Sequence, residues 1–181
     1  MNIRFEKASP FHEKMIFDWL EEPHMKEFWD NSQEHREDIA NFIHGRKQHY
    51  FCGTTLYWVG FVDDQPFCFI LTDQILLSEE ELSDLYKAQL SKTGHTISLD
   101  FGIGNKAFLG KGLAAPTLIA FMGFYQTNMD PAADTFLIGT DEHNRRAQHV
   151  FEKAGFVRVG EYKLDTGAFT GHTHYLMIKT K

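Results

Sequence analysis

Residues 101–116 read FGIGNKAFLGKGLAAP and join two largely apolar segments. Four glycines lie in this stretch, at the point where the chain has to turn. Pro116 has no amide hydrogen and is best tolerated in the first turn of a helix, so a helix begins close to Gly112. The backbone amides of residues 110–115 are then free donors at the positive end of a helix dipole. This arrangement predicts an anion site suited to a phosphate or a pyrophosphate.

The flanking sequence alternates between strand and helix patterns. A strand is predicted over 96–103, a helix over 112–128, and a second strand over 135–140. A further helix contains Ala147 and ends at Gly155, which favours the left-handed conformation after a helix.

The rest of the chain adds hairpins and helices. Asp63, Asp64 and Gln65 carry turn chemistry between two apolar, β-branched segments, which predicts an antiparallel hairpin. A helix is predicted from an N-cap at Ser9, with Phe11, Ile16 and Leu20 on its apolar face, and it ends before Pro23. The other predicted elements are a strand at 3–7, a helix from Ser32 to Gly45, hairpin strands at 56–62 and 66–72, an acidic surface helix or ordered loop at 78–93, and closing strands at 156–164 and 172–178. The mixture predicts an α/β fold with a partly antiparallel and partly parallel central sheet flanked by helices.

Composition limits the class of protein. The chain has 181 residues, 43% of them hydrophobic, and contains neither a repeat nor a linker, so we expect one domain spanning 1–181. A net charge of −7 disfavours binding to nucleic acid or to an anionic membrane and suits a cationic ligand. No secretory signal and no membrane-spanning run of about 20 apolar residues is seen, so we expect a cytoplasmic protein. Cys52 and Cys68 lie among aromatic residues and are expected to be buried without a disulfide.

Two nucleotide-binding motifs compete for the glycine segment. A Walker A loop fails twice, because Asn105 occupies its first glycine position and Gly112 follows Lys111 where Ser or Thr is required. Residues 102–107 satisfy the dinucleotide pattern G-x-G-x-x-A, although the helix that should open there meets Gly110 and Gly112. This alternative predicts that the chain binds NAD.

A third interpretation fits two segments at once. Residues 107–113, AFLGKGL, resemble the coenzyme A loop of the GNAT superfamily of N-acetyltransferases, Gln/Arg-x-x-Gly-x-Gly/Ala, with Ala107 in place of the leading polar residue. Residues 144–156, NRRAQHVFEKAGF, resemble the second GNAT signature, Asn-x-x-Ala-x-x-x-Tyr/Phe-Glu-Lys-x-Gly-Phe, at each fixed position. The helix that this segment predicts has Asn144 as a candidate cap and two arginines at its positive end, where a bound anion would compensate their charge.

Within that superfamily the chain is similar to the aminoglycoside 6′-N-acetyltransferases and to siderophore-type and ribosomal-protein-type relatives. The similarity includes residues 17–20, 24–29 and 99–100 as well as the two signatures. It implies a GNAT fold and direct transfer of an acetyl group from acetyl-CoA to an amine in a ternary complex. The cofactor-binding residues expected on this basis are Phe101, Gly102, Ile103, Leu109, Gly110, Lys111, Gly112, Leu113, Ala114, Asn144, Arg145, Ala147 and Phe151.

Acetyl transfer to an amine requires a base, because a protonated amine is no nucleophile. Asp100 precedes the glycine segment and corresponds to the carboxylate proposed as the base in the aminoglycoside enzymes; the alternative is an aspartate that only anchors the substrate. Asp141 matches an acidic position on the substrate side of these relatives, or caps the helix that follows. Trp29 is expected to contact the substrate, and the other candidates for an aromatic and acidic pocket wall are Trp58, Glu79, Glu80, Glu81 and Asp84. For any one of these residues taken alone, a core tryptophan or a solvated charge is the favoured alternative.

Phe151 departs from the family pattern, since many members carry a tyrosine there that protonates the leaving thiolate. Either water or another donor acts instead, or the helix terminus stabilises the thiolate so that no acid is needed. Tyr125, Tyr162 and His149 are candidate donors, although a core or surface role is favoured for each. His172 and His174 share one face of a predicted strand, but the neighbouring sequence supplies no further ligand, so no metal site is predicted.

The acceptor that these features favour is a small polyamine-like or aminoglycoside-like amine, in keeping with the acidic composition. Alternative acceptors are the N-terminus or a lysine of a protein and the hydroxylamine of a siderophore. A coenzyme A-binding module without catalysis is an interpretation of another class, suggested by Ala107 together with Phe151. We expect a monomer or a homodimer.

Overall fold

A computed structural model describes residues 2–46, 54–78 and 82–181. One seven-stranded sheet runs through these residues in the order β1-β2-β3-β4-β5-β7-β6. Neighbouring strands are antiparallel except for β4 and β5, which are parallel, so the prediction of a mixed sheet is confirmed. The strands are β1 (Ile3–Lys7), β2 (Leu56–Val62), β3 (Gln65–Ile75), β4 (His95–Ile103), β5 (Ala133–Asp141), β6 (Val157–Lys163) and β7 (Thr173–Thr180).

Helices cover both faces of the sheet. They are α1 (Glu13–Glu21), α2 (Pro23–Lys26), α3 (Gln33–Ile43), α4 (Asp84–Gln89), α5 (Ala114–Asn128) and α6 (Arg145–Lys153), with a 3-10 turn at Lys106–Phe108. One buried cluster joins the sheet to α5 and α6 through residues such as Leu99, Phe121 and Phe151. A second cluster joins the opposite face to α1 and α3 through residues such as Ile16 and Ile39. In the described ranges no helix combines the length and the apolarity that crossing a membrane requires.

The sheet opens at its only parallel pair among the described strands. Five register pairs join β4 to β5, and the last of them is Leu99 with Ile138. Beyond that pair, β4 continues to Ile103 and stays paired with β3, while β5 continues to Asp141 and stays paired with β7. The two strands therefore leave a split in the sheet, with β4 residues from Asp100 onward on one side and β5 residues from Gly139 onward on the other.

The first helix begins later than the sequence predicts. Residues 9–12 form a tight turn in which the His12 amide donates to the Ser9 carbonyl oxygen at 2.8 Å, and α1 starts only at Glu13. Pro10 is accommodated in this turn and not inside the helix. Phe11 is consequently 96% exposed, so its assignment to the buried apolar face was wrong, whereas Ile16 and Leu20 are buried as predicted.

Helix α1 ends at Glu21, before Pro23 as the sequence predicts, and Pro23 then occupies the first position of the short helix α2, where a missing amide hydrogen costs nothing. The prediction of α3 is confirmed: the Ser32 hydroxyl oxygen accepts from the His35 amide, and Gly45 follows the helix with a φ of 89°.

The segment 78–93 contains the helix α4, which is capped by the Ser83 hydroxyl. Cys68 is a buried free thiol, and Cys52 lies outside the described residues.

Candidate active site

The split in the sheet opens into a cavity of about 700 Å³. Its walls come from β4 and β5, from the segment that includes α2 and the start of α3, from the N-terminal half of α6, and from the loop between β6 and β7. A cavity of this volume lies within the size range of small-molecule and cofactor sites.

The glycine segment leaves its amides free. Gly110 and Gly112 both have a φ of 72°, which turns the chain so that consecutive amides precede α5. Leu113 takes the N-cap position and offers no capping side chain. Across the described residues, no amide from 110 to 115 donates a hydrogen bond within the protein, whereas the preceding Leu109 amide donates to Lys106. The donors needed for an anion are therefore available.

The residues predicted to bind the cofactor fall into two groups. Those that line the cavity are Phe101, Gly102, Ile103, Leu109, Ala114, Asn144, Arg145, Ala147 and Phe151. Those that form the adjoining loop, outside the cavity wall, are Gly110, Lys111, Gly112 and Leu113. The structure brings both groups to one end of the split.

The N-terminus of α6 carries a side-chain cap and two cations. The Asn144 side-chain oxygen accepts from the Ala147 amide at 3.1 Å, as the sequence predicts. Arg145 and Arg146 follow in the first turn and both line the cavity. Positive charge at this end of a helix is unfavourable by about 0.3–1 kcal/mol. An anion bound between the two arginines and the free amides of residues 110–115 would be stabilised by both.

Helix α2 closes one side of the cavity against β4. A β-carbon at Gly102 would lie 2.8 Å from Met25 Cε and 3.3 Å from Trp29 Cε3, so Gly102 lets both side chains pack closely against β4. His24 Nε2 lies 2.8 Å from the carbonyl oxygen of Ile103 and ties the same helix to the end of the strand. Trp29 lines the cavity as predicted, and within the described part of the chain its indole N–H has no hydrogen-bond partner.

Asp100 is the first β4 residue beyond the last pair with β5. Its side chain is solvent-accessible and lines the cavity, where protein atoms crowd around the carboxylate. Loss of bulk water around the carboxylate, followed by the negative charges of Asp30 and Asp73, raises the pKa of Asp100 to about 6. A carboxylate with this pKa is ionised at neutral pH and is a stronger proton acceptor than an ordinary aspartate.

Asp141 ends β5 and is held by two histidines. One carboxylate oxygen accepts from the His143 amide at 2.8 Å and lies 3.1 Å from His143 Nδ1, and the other lies 2.8 Å from His172 Nδ1. Burial alone would raise the pKa of Asp141, but these hydrogen bonds outweigh it and the pKa is lowered. Asp141 lies in the cavity wall and stays ionised there.

The two histidines considered as a metal pair have different surroundings. His172 contacts Asp141, a carboxylate that the local sequence did not reveal as its neighbour. His174 lines the cavity, and its Nδ1 has no partner within the described structure. In the ranges that the structure covers, no three His, Cys, Asp or Glu side chains are grouped to hold a metal ion.

Several predicted pocket residues lie elsewhere. Trp58, a candidate for the pocket wall, is 1% exposed in the core, where its indole N–H donates to the Thr72 hydroxyl at 3.0 Å, so the core alternative holds for it. Asp84 is not part of the cavity wall, and Glu79, Glu80 and Glu81 lie outside the described residues.

The acidic wall comes instead from Glu27, Asp30 and Glu34, which sequence reasoning missed. Their closeness to Trp29 in the chain was the available signal. Tyr86 and Tyr162 also line the cavity, and neither had a strong sequence signal because they come from separate elements, α4 and β6.

A family model described as an acetyltransferase (GNAT) domain matches residues 11–164. The chain belongs to the GNAT acetyltransferase family. The interpretation of the two signatures is thereby confirmed, and the GNAT fold agrees with the mixed sheet. The dinucleotide alternative loses its support, because the pattern runs into a 3-10 turn at Lys106–Phe108 and the helix opens only at Ala114.

Solved structures similar to this GNAT chain include an aminoglycoside N(6′)acetyltransferase from Legionella pneumophila, 23% identical, with a TM-score of 0.77 over 99% of this chain and 94% of that one. AAC(6′)-Ib in complex with paromomycin and acetyl-CoA is 17% identical, with a TM-score of 0.75 over 100% and 94%. NAA60 from Arabidopsis thaliana in complex with acetyl-CoA is 16% identical, with a TM-score of 0.65 over 99% and 98%. At these identities the similarity is one of fold. Among curated proteins no match to the chain was found.

Proposed function

We propose that this GNAT chain transfers an acetyl group from acetyl-CoA to a primary amine of a cationic small molecule, by direct attack in a ternary complex. The observation that carries the proposal is the position of Asp100, a carboxylate with a pKa raised to about 6, at the opening of the split between β4 and β5. The free amides of residues 110–115 supply an anion site beside the same opening.

The split suits the cosubstrate in two ways. A diphosphate would bind the amides before α5, next to Arg145 and Arg146. The pantetheine arm carries amide groups of its own, and the edge of β4 between Phe101 and Ile103 has no strand partner on the side of β5. The arm would run along this edge and bring the thioester to Asp100. Solved relatives of the same fold, AAC(6′)-Ib and the Arabidopsis NAA60, hold acetyl-CoA.

The acceptor side of the cavity is acidic. Among the described residues, five carboxylates line the cavity: Glu27, Asp30, Glu34, Asp100 and Asp141. The arginines of the wall lie together at the N-terminus of α6, near Asp141, whereas Glu27, Asp30 and Glu34 come from the segment between α2 and the start of α3. Such a wall favours an acceptor with more than one ammonium group, since each charge would meet a carboxylate. Solved relatives bind kanamycin and ribostamycin, which are acceptors of this general type.

Residues of this chain act at two steps of the transfer, removal of a proton from the amine and stabilisation of the oxyanion. Asp100 takes a proton from the ammonium and passes it to water in the cavity, which leaves a neutral amine. The amine nitrogen attacks the thioester carbonyl carbon, and backbone amides at the split stabilise the oxyanion that forms. Collapse of the tetrahedral intermediate breaks the carbon–sulfur bond and releases coenzyme A as a thiol.

Two measurements test the proposal. Coenzyme A at about 100 times its Kd is expected to stabilise the protein by about 2.7 kcal/mol, whereas NAD at the same concentration leaves the melting temperature unchanged. Acetyl-CoA with a panel of diamines, polyamines and aminoglycosides is expected to release free thiol, detected colorimetrically. Asp100→Asn is expected to keep the thermal shift with coenzyme A and to lose turnover by roughly 10²-fold or more. Binding of coenzyme A without thiol release from any acceptor would favour the non-catalytic binding module.

A further inference from the structure

Acetyl transfer leaves a thiolate that needs a proton, and Phe151 on α6 has none to give. Phe151 is 4% exposed and its ring packs against Phe156 with centroids 6.2 Å apart. Of the three substitutes that the sequence offers, Tyr125 is buried in the core beside Trp58, and His149 is exposed on α6 outside the cavity wall. Tyr162 on β6 does line the cavity.

The hydroxyl of Tyr162 lies at the opening of the split. A β-carbon added to Gly139 would overlap this hydroxyl oxygen, so the phenol lies directly over Gly139. Gly139 follows Ile138, the last β5 residue that pairs with β4. In the register of the parallel ladder, Gly139 is the position that faces Asp100, which follows Leu99 on the other strand.

Asp100 and the phenol also share one face of the sheet. Leu99 and Ile138 both belong to the core cluster on the α5 and α6 side. Side chains alternate along a strand, so the next residues, Asp100 and Gly139, present their β positions to the opposite face. The carboxylate and the Tyr162 hydroxyl therefore face the cavity from adjacent strands. The charge of Asp100 contributes to the raised pKa of Tyr162, after burial, which agrees with this closeness.

Tyr86 on α4 orients the phenol. The Tyr86 and Tyr162 rings meet edge to face with centroids 5.4 Å apart, and the two hydroxyls are close enough for each to influence the pKa of the other. A hydrogen bond donated by Tyr86 to Tyr162 would leave the Tyr162 hydrogen free to donate elsewhere. Helix α4 is held over β6 at Gly160, where a β-carbon would lie 2.6 Å from Leu85 Cδ1.

We propose that Tyr162 is the residue that protonates the leaving thiolate, with Tyr86 as its positioning residue. The inference rests on the acetyl transfer proposed above. When the tetrahedral intermediate collapses, the carbon–sulfur bond breaks and the sulfur electron pair takes the phenolic proton. The attacking nitrogen releases its extra proton to water in the cavity, and water returns one proton to the phenolate. One proton per turnover thus passes from the ammonium substrate to solvent, and coenzyme A leaves as a thiol.

The test compares Tyr162→Phe with Tyr125→Phe, the same loss of a hydroxyl at a tyrosine outside the cavity. Tyr162→Phe is expected to lower kcat by roughly 10²-fold, a typical contribution of a general acid, while KM for the amine and the thermal shift with coenzyme A stay unchanged. Tyr125→Phe is expected to leave kcat as it is. Tyr86→Phe is expected to lower kcat by less than Tyr162→Phe.

A second cosubstrate separates proton donation from a packing role. Acetyl-selenocoenzyme A has nearly the same shape as acetyl-CoA, but a selenol is a much stronger acid than a thiol, so its selenolate leaves without a proton. The loss caused by Tyr162→Phe is expected to shrink to a few-fold with this cosubstrate. An equal loss with both cosubstrates, or no loss with either, would overturn the role of Tyr162 and leave acetyl transfer standing. Wild-type protein that releases thiol with no acceptor would overturn both proposals.

Discussion

At the scale of single residues, the raised pKa of Asp100 makes it a stronger base and also lowers the stability of the folded protein. The surroundings that raise its pKa to about 6 make it a better base, and the same surroundings disfavour its ionised form in the folded protein. An unfolded chain has no such surroundings, and there the pKa returns to its ordinary value of 3.8. Activity and stability therefore depend on pH in opposite directions at this residue.

We expect kcat/KM for the amine to rise with pH and to level off above about pH 6, because the free enzyme needs the ionised carboxylate. Between 3.8 and about 6 the folded protein binds more protons at Asp100 than the unfolded chain does, so its contribution to stability falls as pH rises. Asp100→Asn removes the ionisation and is expected to melt at a higher temperature than wild type at about pH 8.

The difference in melting temperature should shrink as the pH falls towards 3.8, where the carboxyl of the folded wild type is protonated. Asp63→Asn is a suitable control, since Asp63 lies in an exposed turn far along the sheet from the cavity. A variant Asp100→Asn that is less stable than wild type at alkaline pH would show that the carboxylate is stabilised in the fold, contrary to this account.

Residue identity alone did not decide which aromatic and acidic side chains reach the cavity. Both tryptophans were candidates for the pocket, but Trp58 belongs to the apolar strand β2 and lies in the core, whereas Trp29 follows α2 and lies in the cavity wall. Asp100 could be predicted because it adjoins the glycine segment. The Tyr86 and Tyr162 pair could not, since it depends on how α4 rests on β6.

At the scale of elements, helix and strand centres could be predicted and several boundaries could not. The periodic apolar residues that determine α1, α3 and α6 are local properties of the sequence. Prolines proved ambiguous: Pro10 occurs in a turn before α1, whereas Pro23 begins α2. Strand β3 runs to Ile75, beyond the predicted end at Thr72, because β4 pairs with its polar residues Asp73 and Gln74. That pairing is a long-range contact that a local pattern does not contain.

Two glycines of the α5 region allow a matched test of backbone conformation. Gly112 precedes the helix with a φ of 72°, Gly123 lies inside it without a positive φ, and a β-carbon at either would meet nothing within 4 Å. Gly112→Ala is expected to lower the free energy of unfolding by about 1 kcal/mol, since the left-handed conformation is strained for alanine. Gly123→Ala is expected to raise it by about 0.5–1 kcal/mol through helix propensity and a less flexible unfolded chain.

Urea unfolding of both variants measures these changes. Gly112→Ala is also expected to weaken binding of coenzyme A, because relaxation of the strained residue would turn the amides of the loop away from the diphosphate. Stabilisation by Gly112→Ala with coenzyme A binding intact would contradict the proposed role of the loop.

At the scale of the whole molecule, one sheet includes strands from both ends of the chain, β1 and β7. This supports the proposal that residues 1–181 form one domain. It also explains why the cavity was harder to predict than the fold: its walls combine residues from 24 to 174, and only the sheet order brings them together.

The net charge of −7 and the acidic cavity wall predict a salt dependence that separates acceptors. Raising the ionic strength from about 0.01 M to about 1 M shortens the Debye length from about 30 Å to about 3 Å. The KM for a polyamine should increase several-fold over this range, because its additional ammonium groups interact with Glu27, Asp30 and Glu34 across the cavity. The KM for a monoamine of similar size should change less. Equal salt effects on both acceptors would contradict recognition by the acidic wall.

The parallel ladder of five pairs between β4 and β5 joins a half of the sheet made of β1 to β4 with a half made of β5 to β7. The antiparallel ladders on either side are longer, with eight pairs between β3 and β4 and seven between β5 and β7, so this seam is the shortest line of backbone hydrogen bonds across the centre of the sheet. A cosubstrate in the split would form hydrogen bonds to both β4 and β5 and so add contacts between the two halves of the sheet. Cosubstrate binding and cohesion of the two halves would then strengthen each other, and release of coenzyme A would loosen the centre of the protein as well as empty its site.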